Sequence, residues 1–381
     1  MGKWRSVPPV GSAHPIAIAA SDAGPVGDAG LEWLQTVLHR AGVARGLTVA
    51  AAHAEPVGTG QVGECLRCRL TYEGAGGGTG DGDGDPPASV IVKLPALDPT
   101  SRDTGFSSGI YEREVYFYTE LARTAAVRVP RCYHGSVSAA DGTMVLVLED
   151  LAPAAQGDQL RGCSVGEAMR AMEQAAALHA PYWGRTTELG PEWITGVDVG
   201  RRVDAYRAAQ PEFAARYRNR LDAEVLDLTG RLADVIDRYL QGSGGPLTLT
   251  HGDFRLDNMM FATPLGGAPI SVVDWGTIGV REPLSDVAYF LGAGLVPESR
   301  REYERSLVDH YCAALAATGL DGVDTAEYWD SYRWYSFSGI FMAVVASGAV
   351  RRDERGDELF CVMAERHARQ AVELDAFSLL R

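Results

Sequence analysis

The sequence predicts an α+β chain, with an N-terminal lobe built on an antiparallel sheet with helices and a larger, mainly helical C-terminal lobe. Three observations carry that expectation. Between about residues 47 and 150, apolar residues alternate with polar ones or fall in short unbroken runs, as strands require. After Pro153 they recur at helical spacing over long stretches. The two patterns are segregated along the chain, which implies a sheet followed by a helical layer and not alternating βαβ units. With 381 residues and 46% hydrophobic content the chain can bury two cores. The expected organisation is a flexible segment over 1–26, a first lobe over 27–148 and a second over 149–381.

Residues 1–26 are rich in Ala, Gly and Pro and read as a loose lead-in. Asp28 reads as an N-cap, Leu31, Leu34, Leu38 and Ala41 share one helical face, and Gly42 is placed to stop that helix. Leu66, Cys68, Leu70 and Tyr72 alternate with polar residues as in a half-buried strand. Residues 74–87 are nearly all Gly, Asp and Pro and read as a hairpin tip. Asp81, Asp83 and Asp85 match the first ligand positions of a calcium loop, but Val92 stands where the bidentate Glu belongs, so a solvated loop is the reading. A strand is expected over 89–94, a helix over 111–122 and a buried strand over 144–148. Helices follow at about 165–180, 200–218, 221–241, 283–294, 298–318, 325–350 and 355–377, with short strands at 247–250, 259–261 and 270–273.

The formal net charge of -15 argues against a nucleic-acid surface, which needs a basic stripe. An acidic exterior could favour a cationic substrate; an ordinary soluble surface is the plainer account. No apolar run approaches the ~18 residues of a membrane span, and no secretory signal is evident, so a cytoplasmic setting is expected. The six cysteines include one C-x-x-C, Cys65 and Cys68, with no second pair at zinc spacing, so reduced packing cysteines are expected.

The chemistry is concentrated in His251-Gly252-Asp253-Phe254-Arg255-Leu256-Asp257-Asn258 and in Asp274, sixteen residues further on inside an apolar run. Two carboxylates and one amide in that order suit phosphoryl transfer: Asp253 faces the acceptor hydroxyl, and Asn258 and Asp274 bind magnesium. Mg²⁺ takes few protein ligands and completes its shell with phosphate oxygens and water, so one Asp and one Asn suffice. Arg255 is placed to neutralise charge on the phosphoryl group. His251 is read as holding the loop by hydrogen bonds more than as a base, and Asp257 as a loop-surface residue more than a metal ligand. A plain turn would explain the Gly, Asp and Asn, but not the spacing and the downstream Asp together.

Upstream, Gly58-Thr59-Gly60-Gln61-Val62-Gly63 is a G-x-G-x-x-G. It precedes a strand and not a helix, which sets aside a dinucleotide loop, and Gly58, Gly60 and Gly63 read as a turn folding over a triphosphate more than as a plain hairpin turn. Lys93 is the one charge in an apolar strand and needs a partner. Glu114 on the next helix suits, with Glu112 a rival, and such a pair aims the ammonium at nucleotide phosphates.

The segment 251–258 with Val272-Val273-Asp274-Trp275 resembles the aminoglycoside phosphotransferase and choline kinase superfamily, which has a protein-kinase-like bilobal fold. Glu149-Asp150-Leu151, Arg113-Glu114-Val115-Tyr116-Phe117-Tyr118 and Pro283-Leu284-Ser285-Asp286-Val287-Ala288 are nearer its ecdysteroid-kinase-like branch. The resemblance covers roughly residues 50 to 350. It implies ATP and Mg²⁺ as cofactors, a small-molecule hydroxyl acceptor, Leu148, Glu149 and Leu151 as the hinge meeting the adenine, and Asp286 as a brace behind the loop. The glycine loop is richer in glycine than in many members.

The leading reading is therefore a small-molecule kinase. An aminoglycoside kinase is the alternative within the same chemistry, and an inactive nucleotide-binding module the alternative of another class. The intact set of Lys93, Asp253, Asn258 and Asp274 counts against the last. A protein kinase is disfavoured: Trp275 follows Asp274 where D-F-G needs Phe, and there is no A-P-E. Acceptor lining is expected from Tyr328, Trp329, Tyr332, Trp334, Tyr335, Phe337 and Phe341, with Tyr182, Trp183 and Trp193, although ordinary helix packing accounts for most such aromatics. Oligomeric state is not legible.

Overall fold

Alternating and unbroken apolar patterns build the first of two units. A computed structural model describes residues 24–58, 63–74, 86–190, 198–323, 325–350 and 352–381. Most of the lead-in, Gly60, the hairpin tip with its three aspartates, and Trp193 lie outside the described residues. The chain divides into Met1–Arg123 with Val129–Ala152, and Thr124–Arg128 with Pro153–Arg381.

The first unit is centred on a six-stranded antiparallel sheet: β1 (Gly24–Pro25), β2 (Thr48–Pro56), β3 (Gly63–Glu73), β4 (Ser89–Pro95), β5 (Cys132–Ser138) and β6 (Thr143–Glu149), in the order β1-β2-β3-β4-β6-β5. Leu66, Cys68 and Leu70 on β3, Val90, Val92 and Leu94 on β4, and Val145 and Val147 on β6 share one core with Trp33, Leu34, Val37 and Leu38 of helix α1 (Asp28–Arg40). Period-two spacing sends Lys93 to the opposite face of β4 from that core. Cys65 and Cys68 are free thiols.

Some expectations on this unit are corrected. Gly27 is the N-cap of α1 and makes no side-chain cap, so Asp28 is the first helical residue. There its charge still favours the positive end of the helix. A helix, α2 (Pro99–Ser107), was not foreseen, although Asp98 caps it by accepting from Ser101 N at 2.8 Å. Its apolar content is too low for periodicity to show. The helix expected over 111–122 is an α-helix, α3 (Ile110–Tyr116), followed by a wider turn at Phe117–Leu121 closed by Ala122 N to Phe117 O at 2.8 Å. β5 was also missed, since its side chains are mostly half-buried and carry no clean alternation.

The second unit holds the helices α4 (Val165–His179), α5 (Val199–Tyr217), α6 (Ala223–Leu240), α7 (Leu284–Gly294), α8 (Pro297–Ala317), α9 (Thr325–Trp334), α10 (Ser338–Ala349) and α11 (Glu354–Glu373). The single helix expected over 325–350 is broken by a tighter turn at Tyr335–Phe337. The break sits where the Ser336 carbonyl accepts from His367 Nδ1 at 2.9 Å. α11 ends at Glu373, short of the expected 377, because Asp375 turns left-handed at φ 47°. Short strands frame the loop: β7 (Ala155–Gln156), β8 (Thr248–Thr250), β9 (Met259–Thr263), β10 (Gly266–Val272) and β11 (Gly279–Arg281). They pair as β10-β9-β7 and β11-β8. The expected strands correspond to β8, β9 and β10; β7 and β11 are too short to read from pattern.

Candidate active site

The turn after β8 is held from behind. Gly252 has φ +81°, and a Cβ there would lie 2.5 Å from Thr277 O and 2.6 Å from the Arg281 guanidinium, so only glycine fits. Asp286, in the first turn of α7, accepts from His251 N at 2.7 Å and Gly252 N at 3.0 Å. Burial opposes its charge, but His179, His251 and the Gly252 N–H hold its carboxyl below the usual carboxylate range. His251 is fully buried. Its Nε2 lies 3.1 Å from Val273 O and its Nδ1 accepts from Asp253 N at 3.3 Å. Both ring nitrogens are therefore occupied by backbone, which ties the turn to the segment bearing Asp274.

Asp253 projects from this turn with its side chain 18% exposed. Tyr289 donates its hydroxyl to Oδ1 at 2.7 Å, Asn258 donates from Nδ2 to Oδ2 at 2.8 Å, and Arg255 Nε lies 3.0 Å from Oδ2. Three donors thus fix the carboxylate's rotation. Arg255 also donates to Asp257 Oδ2 at 2.5 Å. Burial works against the Arg255 charge, and Asp253, Tyr289 and Asp257 more than offset it, so its affinity for the proton is raised. Its guanidinium is engaged by two carboxylates here, a placement that the reading of Arg255 as a bare neutraliser did not foresee. The reading of Asp257 as a loop-surface residue is overturned. Asp257 is buried, accepts from Gln159 N at 2.9 Å, and is also met by Arg355 at 3.3 Å.

Asn258 closes a short 3₁₀ turn, Leu256–Asn258, and its carbonyl accepts from Val273 N at 2.9 Å. That bond brings the end of β10 beside Asn258. Asp274 follows at once, exposed and left-handed at φ 66°. A non-glycine residue in that conformation costs on the order of 1–3 kcal/mol, a strain typical of functional positions. Trp275 is fully buried behind it, with Nε1 3.3 Å from Val272 O and its ring 4.6 Å from that of His251.

The donor set fits a magnesium ion that also carries phosphate. Asn258 directs its amide N–H to Asp253, which leaves its Oδ1 as the atom available to a cation. Among the described residues no cluster of three His, Cys, Asp or Glu is arranged for a metal. One carboxylate and one amide hold Mg²⁺ only when phosphate oxygens and waters complete the shell.

In the first unit, Lys93 Nζ lies 2.7 Å from Glu114 Oε1, so Glu114 and not Glu112 is its partner. The pair is well shielded, with the Glu114 side chain 2% exposed. Gly63 lies against it: a Cβ there would come 3.3 Å from Lys93 Cε and 3.1 Å from Leu94 O. Gly58 has φ +77°, and a Cβ there would meet no atom of the described residues within 4 Å. At the end of β6, Leu148 pairs with Ile91, and Glu149 exchanges backbone and side-chain hydrogen bonds with Arg131 at 2.8 and 2.9 Å. Leu151 is half-buried just beyond. Asp150 was not singled out from sequence, yet it joins β3, β4 and β6 by accepting from Arg67 Nε at 2.6 Å and Ser89 Oγ at 2.7 Å.

Tyr289 was also missed. The available signal was its spacing: it lies three residues after Asp286 on α7, hence on the same helical face. Of the aromatics expected to line an acceptor site, Tyr335 and Phe341 border a cavity of about 190 Å³ next to Gly252 and Tyr289. Others serve packing: Trp183 meets Tyr328 edge-on at 5.8 Å, and Tyr332 donates to Glu304 at 2.9 Å.

The family model described as the phosphotransferase enzyme family matches residues 83–335, well over half of the chain. The chain belongs to the phosphotransferase enzyme family. Solved structures share the fold of this phosphotransferase. Choline kinase from Cryptosporidium parvum Iowa II superposes with a TM-score of 0.56 at 9% identity, over 86% of this chain and 91% of that one. The GDP complex of a wild-type aminoglycoside 2'-phosphotransferase-IIIa gives 0.50 at 15% identity, over 83% and 92%. The protein-kinase-like α+β architecture expected from the motifs is thus the observed one. A curated relative, acyl-CoA dehydrogenase family member 10 of Mus musculus, is 29% identical over 201 residues, 43% of this chain and 18% of that protein. The chain therefore spans less than a fifth of the length of the curated relative it matches. These matches do not bear on the ecdysteroid-kinase-like branch. No described helix is long and apolar enough to cross a membrane.

Proposed function

We propose that this phosphotransferase is an ATP- and Mg²⁺-dependent small-molecule kinase that moves the γ-phosphoryl group to an acceptor hydroxyl. The observation that supports it best is the Asp253 carboxylate, held by Tyr289, Asn258 and Arg255 at the end of a braced turn. Asp253 accepts the hydrogen bond of the acceptor hydroxyl and takes its proton as the acceptor oxygen bonds to the γ-phosphorus. The bond from that phosphorus to the β,γ-bridging oxygen breaks, and ADP leaves. Lys93, held by Glu114, binds nucleotide phosphate; Asn258 and Asp274 hold the magnesium ion, which neutralises phosphate charge when bound. Gly58 and Gly63 cover the phosphates with backbone N–H groups, and Leu148, Glu149 and Leu151 meet the base. The choline kinase and the aminoglycoside enzyme sharing this fold are consistent with a small hydroxyl acceptor and favour neither.

The test is coupled ADP release across alcohols, sugars, amino alcohols and hydroxy acids with Mg²⁺ present. Asp253→Asn is expected to lower kcat by about 10²–10⁴-fold while nucleotide affinity, measured by fluorescence titration, stays within error. Wild-type turnover in that variant would remove Asp253 from the mechanism.

A further inference from the structure

The cavity next to Gly252 and Tyr289 lies wholly within the second unit. It adjoins the reacting group through Tyr289, which lines it and whose hydroxyl donates to Asp253 Oδ1 at 2.7 Å. Leu240, Val280, Phe341 and Met342 make other walls apolar.

The charged groups that line it are not equivalent. Two are carboxylates, and donors already hold both. Glu282 accepts from Gly244 N at 3.0 Å and from Ser243 Oγ, and Asp286 accepts from His251 N and Gly252 N. Two are guanidinium groups. Arg281 donates to Thr250 Oγ1 at 3.1 Å and to Thr277 O at 3.3 Å, so it is already engaged. Arg202, one turn into α5, lies 4.6 Å from the centroid of the Phe341 ring. Its side chain has no carboxylate and no hydrogen-bond acceptor among the described residues. Burial lowers its affinity for the proton, and the groups acting in the other direction are the phenols of Tyr239 and Tyr335.

A guanidinium set against an aromatic wall without an anion is costly to maintain. Its planar fork of donors matches an oxyanion, carboxylate or phosphate, through two parallel hydrogen bonds. A cationic acceptor would instead meet this charge while the nearby carboxylates are already occupied.

We propose that this cavity is the acceptor pocket and that the acceptor is an alcohol bearing an oxyanion, the anion received by Arg202 and the hydroxyl directed to Asp253. The apolar walls then cover the carbon chain between the two ends. The proposal rests on the kinase reading for the fate of the hydroxyl, but the binding half stands apart from it.

The experiment uses the full chain and isothermal titration calorimetry. The probes are ω-hydroxy acids of about four to ten carbons, the corresponding amides and amino alcohols, and hydroxyalkyl phosphates to separate the two oxyanions. An acid or a phosphate of the series is expected to bind more tightly than its amide and amino alcohol by about tenfold or more. Arg202→Gln is expected to remove that preference without lowering Tm, and Arg202→Lys to restore part of it. Equal or tighter binding of amides or amino alcohols, no binding by any anionic probe, or an Arg202→Gln variant with unchanged preference each overturns the proposal. ADP release with the probe that binds then separates the two readings. An anion bound through Arg202 but never phosphorylated defeats the kinase reading and leaves the anion site standing. Asp253-dependent turnover of amino alcohols alone, unaffected by Arg202→Gln, does the reverse.

Discussion

Asp253 shows how little of a catalytic residue's behaviour belongs to the residue itself. A lone aspartate on a turn rotates freely; here three donors hold its two oxygens, and the donor from Tyr289 is the one that leaves the turn's own sequence. Tyr289 is buried, and burial first, with the Asp253 charge second, pushes its phenol well above the ordinary value, so it remains a donor throughout the working pH range. Tyr289→Phe removes one hydrogen bond to a charged group and keeps the ring. The expected cost is about 1.5–3 kcal/mol of transition-state stabilisation, or roughly tenfold to a hundredfold in kcat, with KM for nucleotide unchanged. Steady-state kinetics of that variant beside its melting curve checks this: a fall in Tm with kcat intact would make Tyr289 a packing residue only. Asp274 makes a related point. Its left-handed backbone at φ 66° is a local cost that glycine would relieve, and the strain persists because Trp275 is anchored behind it.

At the level of elements, the sheet decides where Lys93 goes. β4 is an interior strand, flanked by β3 and β6, so its period-two alternation separates the lysine from Val90, Val92 and Leu94 and turns it toward α3. Gly63 on β3 leaves room beside its stem. Lys93→Met should raise the nucleotide KM by about tenfold or more, as loss of a phosphate-bound cation predicts. It should also lower stability by about 3 kcal/mol, since Glu114 stays buried without this cation. Adding Glu114→Gln to that variant is expected to recover stability, read by urea denaturation, and not nucleotide use. Recovery of both would show the pair to be structural alone, and recovery of neither would exclude the buried Glu114 charge as the cause of the lost stability. The broken helix at Tyr335–Phe337 has an equally local cause, an outside donor, His367, at the Ser336 carbonyl.

For the molecule as a whole, stability against acid has an identifiable contributor. His367 is fully buried between α7 and α10, where a Cβ on Gly292 or Gly339 would lie 2.2 Å or 2.0 Å from its ring. Burial depresses its pKa from 6.5 to about 4. Between those values the unfolded chain binds the proton and the folded chain does not. The contribution is therefore complete above pH ~6.5 and is lost as pH falls toward ~4, amounting to about 3 kcal/mol. Urea unfolding at pH 7 and pH 4.5 should show this loss in the wild type, and a shallower pH slope in His367→Gln. Equal slopes would exclude His367 as the titrating group. The net charge of -15 acts on solubility and encounter, and says little about the pocket: the cation Arg202 lines it with no acceptor among the described residues.

Much was legible from the chain alone because it is written in local terms. Strand alternation, helical period and the H-G-D-x-x-x-x-N spacing depend on neighbours within a few residues, so the α+β class, the order of sheet and helices, and membership of the phosphotransferase family could all be read before any contact was known. What the chain could not disclose are the pairings made at long sequence separation: Glu114 rather than Glu112 beside Lys93, Tyr289 on Asp253, Asp257 drawn inside by Gln159 and Arg355, Asp150 tying three strands. A side chain's partner is chosen by packing between elements and by the need to satisfy every buried polar group. That choice exists only once the elements have docked, and it is why Arg202, one unremarked arginine in a helical run, acquires meaning only from the ring beneath it and the anion it lacks.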